Sequence, residues 1–88
     1  MEILKIKIID PIGLHARPAS LVVQEANKWD SEIKINASNN RTANLKSIMS
    51  VMALGVKTGE EITIEASGKD EKKVILAIKD VMETNALI

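Results

Sequence analysis

The sequence predicts an α+β fold, a mostly antiparallel sheet with helices packed on one face. Three observations predict it. Two-residue alternation of apolar and charged side chains recurs in short segments, and helical periodicity recurs between them in longer ones. Turn residues separate the segments with short connections. The alternation leaves one side of each strand charged, which suits a sheet with one face in water.

The elements follow in order. In MEILKIKIID, Leu4, Ile6 and Ile8 share one face and Lys5 and Lys7 the other, as in a strand. Asp10-Pro11-Ile12-Gly13 breaks that pattern. From Pro18 the period turns helical, and Ala19, Val22, Val23 and Ala26 form one stripe. After Trp29 and Asp30 a second strand sets Ile33 and Ile35 against Glu32 and Lys34. Ala37-Ser38-Asn39-Asn40 is turn chemistry, because asparagine tolerates positive φ, and a short third strand from Thr42 to Leu45 completes a hairpin. This turn lacks a glycine. Ser47 and Gly55 are good capping residues for a short helix between them. Ile62, Ile64 and Ala66 share one face of a fourth strand. A third helix starts near Asp70 and buries Val74, Ile75, Ile78, Val81 and Met82. The predicted order is β-α-β-β-α-β-α, in one domain spanning residues 1–88.

Composition narrows the function. The chain is 45% hydrophobic with one Trp and no Phe or Tyr, so its core is aliphatic. A formal net charge of zero and the lack of aromatics argue against binding nucleic acid by phosphate neutralisation or base stacking. The absence of Cys excludes disulfides and thiol chemistry and fits a reducing compartment. With one His and no Cys, no metal site is expected, and no cofactor. No apolar run has the length of a signal peptide core or a membrane span, so the expectation is a cytoplasmic protein without membrane insertion.

Two short motifs carry chemistry. In GLHARPAS the single histidine, His15, sits where the first helix should begin. Ala16, Arg17 and Pro18 then occupy the first turn, where backbone N–H groups have no intrahelical partner. Proline is tolerated there, and the amides of Ala16 and Arg17 stay free beside a guanidinium. That is an anion site suited to phosphate. The positive end of the helix favours an uncharged imidazole, whose lone pair can attack a phosphoryl group. A dipole contact is worth about 0.3–1 kcal/mol and a charge-assisted hydrogen bond about 1.5–3 kcal/mol. One arginine and a few amides therefore suit loose, transferable binding better than a hydrolase's full cage. Spacing alone favours the plainer reading, in which His15 is only a cap or a surface residue.

The second motif is NLKSIMSVMALG. The helix it predicts is apolar nearly all round, so some of Ile48, Met49 and Met52 must be exposed unless the whole helix is buried. Ser47 is first of all an N-cap worth about 1 kcal/mol. A phosphate on it would fit the helix start and set about two negative charges beside the apolar residues. The sequence alone favours the cap over the switch.

Both motifs, and essentially the whole chain, resemble HPr, the histidine-containing phosphocarrier family of the bacterial phosphoenolpyruvate:sugar phosphotransferase system. The resemblance implies an open-faced β-sandwich, a four-stranded antiparallel sheet covered on one face by three helices. It places His15 on the histidine phosphorylated at Nδ1, and Arg17 on the arginine that contacts the phosphoryl group. The amides of Ala16 and Arg17 fall beside that group. Pro18 falls on the signature proline, and Ser47 on the serine modified by an ATP-dependent kinase in many relatives. Ser20, Ile48, Met49 and Met52 fall on the partner-docking surface. The implied partners are enzyme I, sugar-specific IIA domains, an HPr serine kinase/phosphorylase and a catabolite-control regulator. The implied protein is a stoichiometric carrier and not a turnover enzyme, and nothing in the sequence requires more than a monomer. The alternative is a regulatory binding module acting through phospho-Ser47 only, which would have no use for a nucleophile beside an arginine.

Overall fold

The computed structural model describes residues 1–88. The element order is β1 (Glu2–Lys7), α1 (Ala16–Ala26), β2 (Glu32–Asn36), β3 (Thr42–Asn44), α2 (Ile48–Leu54), β4 (Glu61–Ser67) and α3 (Glu71–Thr84). The strands form one antiparallel sheet in the order β1-β4-β2-β3. Ile6 lies opposite Ile62, Leu4 opposite Ile64, and Ile64 also opposite Ile35. This register puts the apolar half of every alternation on one side. α3 packs over β1 and β4, α1 against α3 and α2, and α2 against β3. The opposite face keeps Lys5, Lys7, Glu32 and Lys34 in solvent. The fold is the open-faced β-sandwich.

A single cluster of 19 buried residues forms the core, and all of them are aliphatic or methionine. The predicted stripe of α1 is buried in full. In α3, Val74, Ile78 and Met82 are buried, while Ile75 and Val81 pack partly buried at the edge. β3 ends at Asn44, one residue short of the expected Leu45, whose amide nonetheless bonds to the Ile33 carbonyl at 2.9 Å. The glycine-free turn closes because Asn39 and Asn40 take φ of 62° and 59°.

Asp70 stands at the start of α3 as expected but does not cap it. Its carboxylate accepts from the amides of Asp30 and Ser31, both at 3.1 Å, and from the Ser31 hydroxyl. It thus ties α3 to the segment before β2. At the other end of the molecule Arg41 donates to the Leu54 carbonyl, to Ser38 and to Glu60. This joins the β2–β3 turn to the end of α2.

These carboxylates make stability depend on pH. Burial alone would raise the Glu60 carboxyl, but the Ser38 hydroxyl, the amides of Lys57 and Ser38 and the Arg41 charge outweigh it and hold it below the usual glutamate range. Asp70 is lowered first by the Ser31 hydroxyl and then by the amides around it. Glu71 is lowered first by the N-terminal ammonium, 2.8 Å away, and then by the Gly68 amide. A group whose folded pKa is depressed contributes stability above its unfolded value, about 3.9 for Asp and about 4.3 for Glu, and loses it as pH falls through the folded value. The thermal midpoint is therefore expected to fall from about pH 5 downward, and Glu60→Gln to flatten that fall. Melts recorded across this range check it; identical slopes for the two proteins would remove Glu60 from the account.

Candidate functional site

The chain reaches α1 through a tight turn. The Gly13 amide donates to the Asp10 carbonyl at 2.9 Å, and Gly13 itself has φ of 86°. The next residue, Leu14, is buried and its amide bonds to the Val56 carbonyl at 3.0 Å. This fastens the turn to the segment that follows α2. His15 is then the N-cap of α1, with extended backbone (φ −109°, ψ −178°). Its carbonyl accepts the first helical hydrogen bond, from Ala19, at 2.9 Å.

The His15 side chain takes no part in capping. The His15 side chain is 34% exposed, so part of the ring is open to solvent. Its Nε2 lies 3.4 Å from Asp10 Oδ1. That oxygen is itself held by the Ile12 amide at 2.9 Å. Neither Ala16 nor Arg17 donates its amide within the chain, and the exposed Arg17 guanidinium has no protein partner. Pro18 is buried beneath them. The expected set is thus assembled at one helix start: a ring, two free amides and a free guanidinium. Such a set can receive an anion from solvent without first breaking any internal bond.

Ser20, one turn further along α1, is half-buried and its hydroxyl accepts from Gln24 at 3.5 Å. Ser47 is the N-cap of α2, its hydroxyl accepting from the Ser50 amide at 3.3 Å, and Gly55 ends the helix in the left-handed conformation. Of the seven residues of α2, only Val51 and Leu54 are buried. Ile48 and Met52 are about 40% exposed and Met49 is 82% exposed. The short helix therefore presents apolar side chains to solvent, as its uniform hydrophobicity requires. α1 and α2 pack together, and Asn27 near the end of α1 donates to the Lys46 carbonyl at 3.0 Å, just before Ser47.

Sequence reasoning missed Asp10, and it missed that Ile9 and Ile12 are exposed. Asp10 had a readable signal, since aspartate at the start of a turn accepts from the amide two residues on. Its meeting with the ring depends on how tightly Gly13 turns the chain. Ile9 and Ile12, in the turn that leads to His15, are 58% and 72% exposed. A surface groove lies elsewhere, between the β2–β3 hairpin and α2, and His15 is not among the residues lining it.

Fold and site together define a small open-faced β-sandwich that offers a single accessible imidazole at a helix start. The family model for the PTS HPr component phosphorylation site matches residues 4–84. A phosphocarrier protein HPr from Mycoplasma capricolum is 56% identical over 81 residues, which cover 92% of this chain and 90% of that protein. A solved Mycoplasma histidine-containing phosphocarrier protein is 52% identical, with a TM-score of 0.96 over 99% of this chain and 98% of that one. A solved HPr dimer from Thermoanaerobacter tengcongensis is 42% identical, with a TM-score of 0.75 over 97% of each chain. The chain belongs to the HPr family, the phosphocarriers of the phosphotransferase system.

Proposed function

We propose that residues 1–88 form one phosphocarrier domain in which His15 accepts a phosphoryl group at Nδ1 from enzyme I and passes it to sugar-specific IIA domains. The observation that carries this reading is the partly exposed ring beside two unspent amides and an unspent guanidinium. Family membership supports it. The protein acts as a stoichiometric intermediate and not as a turnover enzyme, because each partner's reaction leaves it phosphorylated or free. The site suits that task. It is open, and the groups that would hold the phosphoryl oxygens are few, so binding does not trap the group. The direct test is incubation with phosphoenolpyruvate and enzyme I followed by 31P NMR.

Arg17 would contact the phosphoryl oxygens. Because it is exposed and makes no internal bond, Arg17→Ala is expected to slow phosphoryl transfer about tenfold or more while shifting the stability by less than about 0.5 kcal/mol. Stopped-time transfer assays beside thermal melts check this. A large loss of stability with unchanged transfer would make Arg17 structural.

Ser47 is proposed as a regulatory phosphorylation site for an HPr serine kinase/phosphorylase. A phosphate there would place charge beside Ile48, Met49 and Met52 and so change which partner docks, a catabolite-control regulator among them. Those three residues, with Ser20, form the proposed docking surface. Incubation with ATP and that kinase should give an acid-stable phosphate lost in Ser47→Ala; a label that survives the substitution would remove the site. The working state is proposed to be a monomer in the cytoplasm, although the family includes a solved dimer. Sedimentation at micromolar concentration decides the former.

A further inference from the structure

The acidic group at the edge of the imidazole points to a role that the carrier reading leaves open, and the inference rests on that reading. We propose that Asp10 is a positioning residue: its carboxylate holds the His15 proton on Nε2 and so keeps the lone pair on Nδ1.

The contact is one of ion-pair distance and not a formed hydrogen bond, so its hold on the ring is electrostatic. Asp10 Oδ1 lies 3.4 Å from Nε2, the ring's contact with an acidic group. The carboxylate is not a mobile surface charge, for its side chain is only 18% exposed and the same Oδ1 accepts from the Ile12 amide at 2.9 Å. The Asp10 carbonyl accepts from Gly13 at 2.9 Å, so backbone and side chain of this residue are both held by the turn. A carboxylate accepts hydrogen bonds and cannot donate them, so the nitrogen that faces it is the one favoured to carry hydrogen. In a neutral imidazole the other nitrogen then holds the lone pair. Asp10 thus distinguishes the two ring nitrogens before any partner arrives.

The distinction matters for transfer. As the Nδ1 lone pair forms the new N–P bond, the bond between phosphorus and the donor breaks and its electron pair leaves on the donor. The Nε2 proton stays on the ring, which gains one positive charge during that step. That charge develops facing the Asp10 carboxylate. On return transfer the N–P bond breaks, its electron pair goes back to Nδ1, and the ring is neutral again with its proton still on Nε2. No proton has to leave or enter the ring in either direction.

The test uses 15N-histidine-labelled protein, unphosphorylated, at a pH high enough to keep the ring neutral, where 15N shifts report the ratio of the two tautomers. In Asp10→Ala the Nε2–H to Nδ1–H ratio is expected to fall about twofold to fivefold, the range for a partly exposed charged contact. Asp10→Asn keeps an oxygen for Ile12 and for the ring but removes the charge, and is expected to fall less. Phosphoryl uptake from enzyme I should slow in the same order. A fall in the alanine variant alone still assigns the contact to the oxygen at position 10. A ratio unchanged in both variants overturns the proposal, even where uptake slows. If the native protein takes up no phosphoryl group at His15, the carrier reading fails, whereas the tautomer ratio is read without phosphorylation and judges Asp10 separately.

Discussion

His15→Ala is expected to abolish the acid-labile phosphate formed from phosphoenolpyruvate and enzyme I, and to move the thermal midpoint by no more than about 4 °C. The loss should be complete because the chain has one histidine and no cysteine. No second imidazole exists to supply another phosphohistidine at this helix start. Stability should persist for a different reason. The cap position is filled by His15, but its side chain bonds to no backbone amide. Alanine therefore forfeits none of the roughly 1 kcal/mol that a side-chain cap provides. The ring is partly exposed, so little apolar burial is lost. The paired measurement is 31P NMR after phosphorylation and a thermal melt of the same sample. An acid-labile signal that survives the substitution sinks the relay assignment. A collapsed fold would show that the ring braces the turn instead.

Much of this arrangement was legible in the residues. Alternation of Leu4 and Ile6 with Lys5 and Lys7 fixes which face of β1 is wet, because a one-residue slip would bury lysine. The stripe Ala19, Val22, Val23 and Ala26 permits only one orientation of α1. Ser47 and Gly55 mark both ends of α2 by conformations that other residues adopt less readily. His15 and Arg17 were readable as a pair because both lie within one helical turn.

What escaped depends on closure between distant segments. Asp70 has the look of a cap for α3, yet its carboxylate is taken by Asp30 and Ser31, some 40 residues away in sequence. Ala86 adopts φ of 56° so that the Leu87 amide can reach the Met82 carbonyl at 2.9 Å, a helix ending usually left to glycine. The burial of Leu87 and its carbonyl's bond to the Ile9 amide, at 2.7 Å, explain why the chain accepts that conformation. Asp10 is the instructive case for the site. Its contact with His15 follows from a turn whose tightness is set by Gly13, and Gly13 in turn abuts the backbone of Val56 and Lys57, just after α2.

That dependence gives Gly13→Ala a large expected effect on stability. Gly13 has φ of 86°, where a side chain costs about 1–2 kcal/mol. A methyl group there would lie 2.5 Å from the Val56 carbonyl oxygen and 2.9 Å from the Lys57 Cα. Both are backbone atoms, so no side chain can swing aside. The turn must lift from the segment after α2, and the bond from Leu14 to the Val56 carbonyl stretches with it. Losing a buried backbone hydrogen bond adds about 1–3 kcal/mol. A total of about 3 kcal/mol should lower the midpoint by about 12–24 °C in a domain of this size. Gly59 is the internal control. Its φ of 83° is nearly the same, but nothing lies within 4 Å of where its Cβ would sit. Gly59→Ala should therefore show the conformational cost alone, about 1–2 kcal/mol. The difference between the two melts isolates the contact of Gly13 with Val56 and Lys57. Phosphoryl uptake gives a second readout, since lifting the turn displaces Asp10 and His15 together and Gly59→Ala leaves them in place. Equal melts for the two variants would mean that the turn is not pressed against the chain after α2, and that the site is not held from that side.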